Sequence, residues 1–351
     1  MKKFLITALS ILLVFLIASA TYIYVLLDQL ENNSLTDYAD SSDLSDFSDS
    51  SDSQEEVPSS DKDLGISETA PKTSKTGVIN ILLFGLDSRV ENSVSRSDTI
   101  MIATIDKKNQ VIKLTSLMRD MYVPIPGRDK NRINTAYIFG GPSLAIKTVN
   151  TNFDLDIRHY VTVDFFGLEK IIDQVGGVTI DVKKQEIPYI NSCIQELNSL
   201  NKNTKPAPLL KNPGPQTLNG RQAVAYARVR KVGNGDFERT ERQRRVLVEL
   251  FKKVKTINPL KLPGLVSTML PYVETNLSKT EILSLGISVL GFKNKDIIQY
   301  RLPVDGTYES KRIDGMAVLV PDLEKNKVLL HDFIYGDSVN DEVADANSSG
   351  A

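Results

Sequence analysis

The 351-residue sequence has one cysteine, Cys193, and no tryptophan. A lone thiol excludes an intrachain disulfide framework and any zinc site built from several thiolates, so the fold rests on its apolar core. Histidine is almost as scarce, with His159 and His331 the two present. A three-histidine metal site is thereby excluded, and acid–base chemistry falls to carboxylates with arginines as charge partners. His159 opens a strand-like segment and reads as structural, while Cys193 sits in a polar stretch as an incidental thiol. The sequence holds no Gly-x-Ser-x-Gly, P-loop or paired-histidine zinc motif. Net charge is also small, −2, but that sum hides an acidic segment and a more basic remainder.

What is present begins with a long apolar run, Phe4 to Leu27, behind Lys2 and Lys3. At about 1.5 Å per residue it matches a hydrocarbon layer of about 30 Å, and the lysines favour a cytoplasmic N-terminus. A cleaved signal peptide is the rival, with Ala18-Ser19-Ala20 as its small-residue site. The run continues through Tyr22 to Leu27, however, which favours an uncleaved anchor with the rest of the chain outside the membrane. From Glu31 the composition turns to serine and aspartate, with Asp37, Asp40, Asp43, Asp46, Asp49 and Asp52 at every third position. That period suits neither helix nor strand, and like charges repel, so an extended, solvated spacer is expected. The resulting division is an anchor at 1–30, a disordered linker at 31–76, one folded domain at 77–337 and a polar tail at 338–351.

Within the domain, Val78–Phe84, Thr99–Ile105 and Val111–Ser116 read as inner strands. Helical spacing at Gly141–Asn150 and Phe165–Val175 alternates with strands at His159–Val163 and Val178–Val182, which predicts α/β layering. Gly214–Gly220 is punctuated as a loop, and Gln222–Arg228 as a short helix. A long helix follows with Asp236 as its cap and Leu247, Leu250, Phe251 and Val254 on its buried face. Helices at Lys279–Leu290 and Leu323–Phe333 flank a strand at Ile297–Leu302. No internal repeat or second domain is visible.

Three groups of residues carry chemistry. Asp87-Ser88-Arg89 follows the first strand, and Arg96-Ser97-Asp98-Thr99 precedes the next, so two carboxylates converge at one sheet end, where they suit magnesium. Two ordinary loop ion pairs, Asp87 with Arg89 and Arg96 with Asp98, are the bland alternative. Arg119 and Asp120 end a strand, where Arg119 can clamp a phosphate and Asp120 can accept a proton, or where both are merely a charged turn. The third group is Arg228, Arg230, Arg239 and Arg242 with Gln243. Stepping back by fours from Leu247 gives Gln243 and Arg239, and from Val246 gives Arg242, so these polar groups extend the apolar stripe and should point inward. Arg244 and Arg245 fall on other faces and should be solvated. Several inward guanidiniums need a multiply charged anion or protein carboxylates. Nucleic acid is not expected, because the anchor places the domain outside and the arginines face inward.

These segments resemble, in order, the motifs of the LytR-CpsA-Psr family: Asp87-Ser88-Arg89, Arg96-Ser97-Asp98-Thr99, Ser116-Leu117-Met118-Arg119-Asp120 and Arg132-Ile133-Asn134-Thr135-Ala136-Tyr137. Val163-Asp164-Phe165, Gly176-Gly177-Val178 and Gln216-Thr217-Leu218-Asn219-Gly220 follow. Ala225-Tyr226-Ala227-Arg228-Val229-Arg230 and Asp236-Phe237-Glu238-Arg239-Thr240-Glu241-Arg242-Gln243 complete the set. The resemblance implies an α/β/α sandwich with a central mixed sheet, holding a polyprenyl pyrophosphate whose lipid occupies an apolar channel between sheet and helices. It implies a membrane phosphotransferase that moves a glycopolymer such as teichoic acid or capsule onto a peptidoglycan hydroxyl as a phosphodiester. Asp87 and Asp98 would hold Mg2+, and Arg89, Arg96, Arg119, Arg228, Arg230, Arg239, Arg242, Gln216 and Gln243 would line the pyrophosphate site. Asp98, Arg119 and Asp120 would be catalytic. A pyrophosphatase and a non-enzymatic envelope regulator are the competing readings. Arg132 stands where the family often has lysine, and Lys183–Pro213 matches no motif.

Overall fold

A computed structural model describes residues 60–87, 97–201, 204–293 and 296–336. The apolar run Phe4 to Leu27, most of the Ser/Asp-rich segment and the C-terminal tail lie outside these residues. Among the described residues, no helix is long and apolar enough to cross a membrane.

The centre is a mixed six-stranded sheet in the order β10-β3-β2-β1-β6-β9. Its strands are β1 (Val78–Leu86), β2 (Ser97–Asp106), β3 (Val111–Leu117), β6 (His159–Asp164), β9 (Glu274–Thr275) and β10 (Ile297–Leu302). Hairpin neighbours β1, β2 and β3 are antiparallel, whereas β1–β6 and β3–β10 are parallel. Strand residues alternate between faces, and here both faces are apolar, which requires a helical layer on each side. Leu82, Phe84, Ile100, Ile102 and Leu117 pack with α1 (Thr135–Phe153) and α8 (Leu323–Tyr335). Ile81, Ile105, Ile112, Met101 and Leu114 pack on the other side with α5 (Asp236–Lys255) and α7 (Lys279–Leu290). Buried Lys113 donates to the Phe333 and Ile334 carbonyls at 2.7 and 2.9 Å, placing its charge at the C-terminal end of α8.

A second core lies beside the sheet, built by α2 (Phe165–Gln174), β7 (Val178–Val182), α3 (Ile187–Leu200), β8 (Gly214–Leu218) and α4 (Gly220–Arg228). Gly214–Leu218, expected as a loop, is a strand antiparallel to β7. The helix α3 lies in the stretch that matched no motif. Gly220 opens α4 at so close an approach to α2 that a Cβ there would stand 1.9 Å from the Glu169 carbonyl oxygen. Two hairpins complete the fold, β4 (Tyr122–Ile125) with β5 (Arg128–Arg132) and β11 (Tyr308–Ile313) with β12 (Met316–Pro321). A short helix α6 (Leu262–Met269) packs against α2 and α7.

The expected linker boundary at residue 76 is corrected. Leu64, Ile66 and Ala70 are buried in the main core, the Leu64 carbonyl accepts from Asn150 Nδ2 at 2.9 Å, and Lys72 and Arg158 both pair with Asp61. Burying these apolar residues against α1 orders a segment whose composition alone reads as spacer.

Candidate active site

The site forms at the end of β1 and β2. The β1–β2 register pairs Gly85 with Thr99 and Leu86 with Ser97, leaving Asp98 as the unpaired residue of a bulge. Such a bulge re-aims one side chain out of the ladder. Gly85 permits it, since a Cβ there would lie 3.0 Å from Thr99 Cβ. Asp98 then faces three guanidiniums: Oδ1 accepts from Arg119 Nη1 at 2.5 Å, and Oδ2 from Arg230 Nη2 at 2.6 Å and Arg239 Nη1 at 3.3 Å. Asp236 closes the group from the start of α5, at 2.9 Å from Arg119 and 3.4 Å from Arg239. The helix cap is Gly235, with φ 61°, so Asp236 is freed from the capping role expected of it.

The electrostatics follow from crowding. Arg239 is only 3% exposed, and burial together with the like charge of Arg119 pulls its guanidinium down to about 10, despite Asp236 and Asp98. Burial also acts against the charge of Arg119, but Asp98, Asp236 and Asp120 outweigh it and its value is raised. Burial raises the Asp120 carboxyl above the ordinary range, against the pull of Arg119 and Arg132. These cations are held close together at an energetic cost that a polyanion would relieve.

In front of the cluster opens a cavity of about 380 Å³, lined by Asp87, Asp98, Phe165, Tyr189, Ser192, Cys193, Glu196, Arg228, Val229, Arg230, Lys231, Arg239 and Gln243. Behind it lies an apolar cavity of about 200 Å³ between β1 and β6 on one side and α2, α4 and α5 on the other. Leu83, Val161, Leu168, Ile171, Val246, Leu247 and Leu250 are among its walls, and Phe165 and Gln243 line both cavities. A charged chamber therefore adjoins a greasy one through shared residues.

Comparison with known proteins settles the kinship. The LytR_cpsA_psr family profile matches residues 24–332. The chain belongs to this family. The regulatory protein MsrR of Staphylococcus aureus is 32% identical over 79% of this chain and 80% of its own length. TagU of Bacillus anthracis, named a polyisoprenyl-teichoic acid–peptidoglycan teichoic acid transferase, is 33% identical over 77% of this chain and 84% of its own. Among solved structures, TagT bound to LI-WTA superposes with a TM-score of 0.60 at 26% identity, covering 76% of this chain and 94% of TagT. TagT with bound octaprenyl pyrophosphate lipid gives a TM-score of 0.55 at 25% identity, over 73% and 90%. The mixed sheet with helices on both sides is the architecture of these LytR_cpsA_psr structures.

Of the residues expected at the site, Asp87, Asp98, Arg228, Arg230, Arg239 and Gln243 share the cavity wall. Arg119 and Asp120 stand behind Asp98, with Asp120 bridging Arg119 at 3.6 Å and Arg132 at 3.3 Å. Arg89 and Arg96 lie outside the described residues. Two expectations are corrected. Arg242 points inward but is absorbed by Glu186 at 2.9 Å, Glu238 at 2.8 Å and the Val229 carbonyl at 3.2 Å, so it braces the loop before α5 and does not line the cavity. Gln216 lies on β8, where its amide donates to the Asn212 and Gly214 carbonyls, away from the cavity wall. Arg244, expected in solvent, is half-buried and donates to Ser116 Oγ at 3.0 Å. Residues the sequence did not single out come mainly from α3: Tyr189, Ser192 and Glu196, the last pairing with Arg228 at 3.0 Å. Arg228 also lies over the Phe165 ring at 4.9 Å.

Among the described residues, no three His, Cys, Asp or Glu side chains cluster as a metal cage. Asp87 and Asp98 nevertheless suit magnesium, which binds through one or two carboxylates and completes its shell with phosphate oxygens and water. Asp98 Oδ1 accepts one donor from Arg119, leaving a lone pair for such a contact.

Proposed function

We propose that this protein is a membrane-anchored, extracytoplasmic phosphotransferase that moves a glycopolymer from a polyprenyl pyrophosphate carrier to a peptidoglycan hydroxyl. The observation that carries this reading is the pair of joined cavities, one walled by Arg228, Arg230 and Arg239, the other by aliphatic side chains. An amphipathic carrier has the same two parts, a diphosphate and an isoprenoid tail, and the resemblance to TagT with octaprenyl pyrophosphate supports the match.

The chain's own groups divide the work. Arg228, Arg230 and Arg239 grip the diphosphate; Glu196 holds Arg228, and Asp98 and Asp236 hold Arg230 and Arg239, in place before substrate arrives, so little reorganisation is needed during reaction. The acceptor oxygen attacks the phosphorus that bears the polymer, the bond to the bridging oxygen breaks, and polyprenyl phosphate leaves with that oxygen. Its developing charge meets the arginines. The hydroxyl proton passes to a carboxylate of the cavity wall, where Glu196 is the one with no part in holding magnesium, whereas Asp120 acts on Arg119. Magnesium held by Asp87 and Asp98, when bound, would add neutralising charge at the phosphoryl oxygens.

The test supplies the purified full-length protein with lipid-linked pyrophosphate polymer, peptidoglycan and magnesium. A polymer–peptidoglycan conjugate with released polyprenyl phosphate is expected. Release of free polymer phosphate without conjugate would identify a hydrolase instead.

A further inference from the structure

The apolar cavity leads toward an unusual corner of the surface. Val273 and Leu250 are among its walls. Val273 directly follows the turn Leu270–Tyr272, which presses on α2 so closely that a Cβ on Gly167 would lie 2.6 Å from the Tyr272 carbonyl oxygen. From Lys252 to Tyr272 the chain carries four lysines and no acidic residue; Lys252 pairs with Glu249 at 2.9 Å and Lys255 donates to the Phe292 carbonyl at 3.0 Å, while Lys253 and Lys261 are exposed. Leu262 is the only fully buried residue of α6, although that helix is mostly apolar. Leu260, just before it, is 88% exposed, and Ile287, on the adjoining α7, is 65% exposed. Gly286 packs on Leu262, which sets Ile287 beside the same patch.

An exposed leucine alone means little, but here apolar side chains protrude among lysines with no carboxylate in the segment. Bilayer interfaces select that combination: apolar groups enter the acyl boundary while lysines meet anionic headgroups and extend their stems along it. We propose that the corner formed by Ile257–Tyr272 and Ile287 docks on the surface of an anionic lipid bilayer. This placement rests on the carrier reading above. It lets an isoprenoid tail pass from the acyl region to the cavity near Val273 without crossing water, while the arginine chamber stays in the aqueous phase.

The absence of tryptophan from the sequence makes the test direct. Full-length protein bearing Leu260→Trp has one indole, at an exposed position where the change leaves the core untouched. In vesicles of phosphatidylglycerol and phosphatidylcholine, its emission should shift to the blue and be largely lost when the acyl chains are brominated. Lys253→Glu combined with Lys261→Glu should restore much of that emission. Val328→Trp, 56% exposed on the opposite face of the sheet, should remain unquenched. An indole at 260 with the emission of a water-exposed group and no quenching would overturn the docking. So would equal quenching at 328, or a blue shift that depends on protein concentration and not on lipid, which would give the patch to a second copy. Transfer activity measured in detergent micelles separates the two readings, because conjugate formed there without quenching in vesicles sinks the docking and leaves the transferase standing.

Discussion

Asp98 accepts from Arg119, Arg230 and Arg239 at once, so removing its charge releases three cations from their common anchor. Asp98→Asn keeps the side-chain volume and is expected to lower transfer by about a hundredfold or more, the scale of losing a preorganised electrostatic group. Steady-state conjugate formation measures this, and an unchanged melting temperature shows that the loss is not unfolding. Asp236 offers a pH readout in the same cluster. Burial acts to raise its carboxyl, but Arg239, Arg119 and Arg230 outweigh burial and hold it below the ordinary value of 3.8. Its contribution to stability is therefore complete above the unfolded value and fades as pH falls through the lower folded one. Asp236→Asn should flatten the acid limb of a stability–pH curve below about 4; an acid limb identical to that of the unmodified protein would refute the assignment. Arg239 and Gln243 were legible in the sequence because helical phase fixes which side chains face inward. Phase does not say what they meet, and so it grouped Arg242 with the site although Glu186 and Glu238 consume it. It also placed Arg244 in solvent, because the packing of α5 against β3 and β10 is not local information.

At the scale of elements, α3 decides how the arginines divide between binding and structure. Its first turn follows Glu186, which is 2% exposed and pairs with Arg242, itself 3% exposed, while Glu196, about three turns later, reaches Arg228 at the cavity. Arg242→Met would leave Glu186 buried without its charge partner and should cost about 3–5 kcal/mol of stability, as breaking a buried pair from one side does. Denaturant unfolding measures this, and a double change with Glu186→Leu should recover most of the loss. Little change in the single variant would return Arg242 to the ligand-binding set. The strands β1, β2, β3, β6, β7 and β10 were readable from alternation and apolar runs. The strand β8 was not, because Gly214 and Pro215 mark a loop in any local reading and only pairing with Val178–Val182 makes that segment extended. The Asp98 bulge was equally invisible, since it exists only in the register between two strands.

For the molecule as a whole, the decisive arrangement is that one sheet face and the α2, α4 and α5 layer close on each other over only part of their extent and leave an apolar cavity between them. Leu247 and Leu250, expected on the buried face of α5, are half-buried and line the apolar cavity, and Leu247 also packs against Met101 and Leu114 of the sheet. A core of this size ordinarily closes such a void, since empty apolar volume costs about 24 cal/mol per Å³. On the proposed carrier reading an isoprenoid tail would occupy it. Filling it gives a clear expectation. Leu250→Trp adds volume at the wall, so affinity for polyprenyl pyrophosphates should stop rising with chain length, while inorganic pyrophosphate, which needs only the arginines, should bind as before. Titration calorimetry over a series of prenyl lengths measures the slope, which should approach zero in the variant and be clearly positive in the unmodified protein. Parallel slopes in the two would mean that the tail lies elsewhere, and the joined cavities would then no longer explain the carrier.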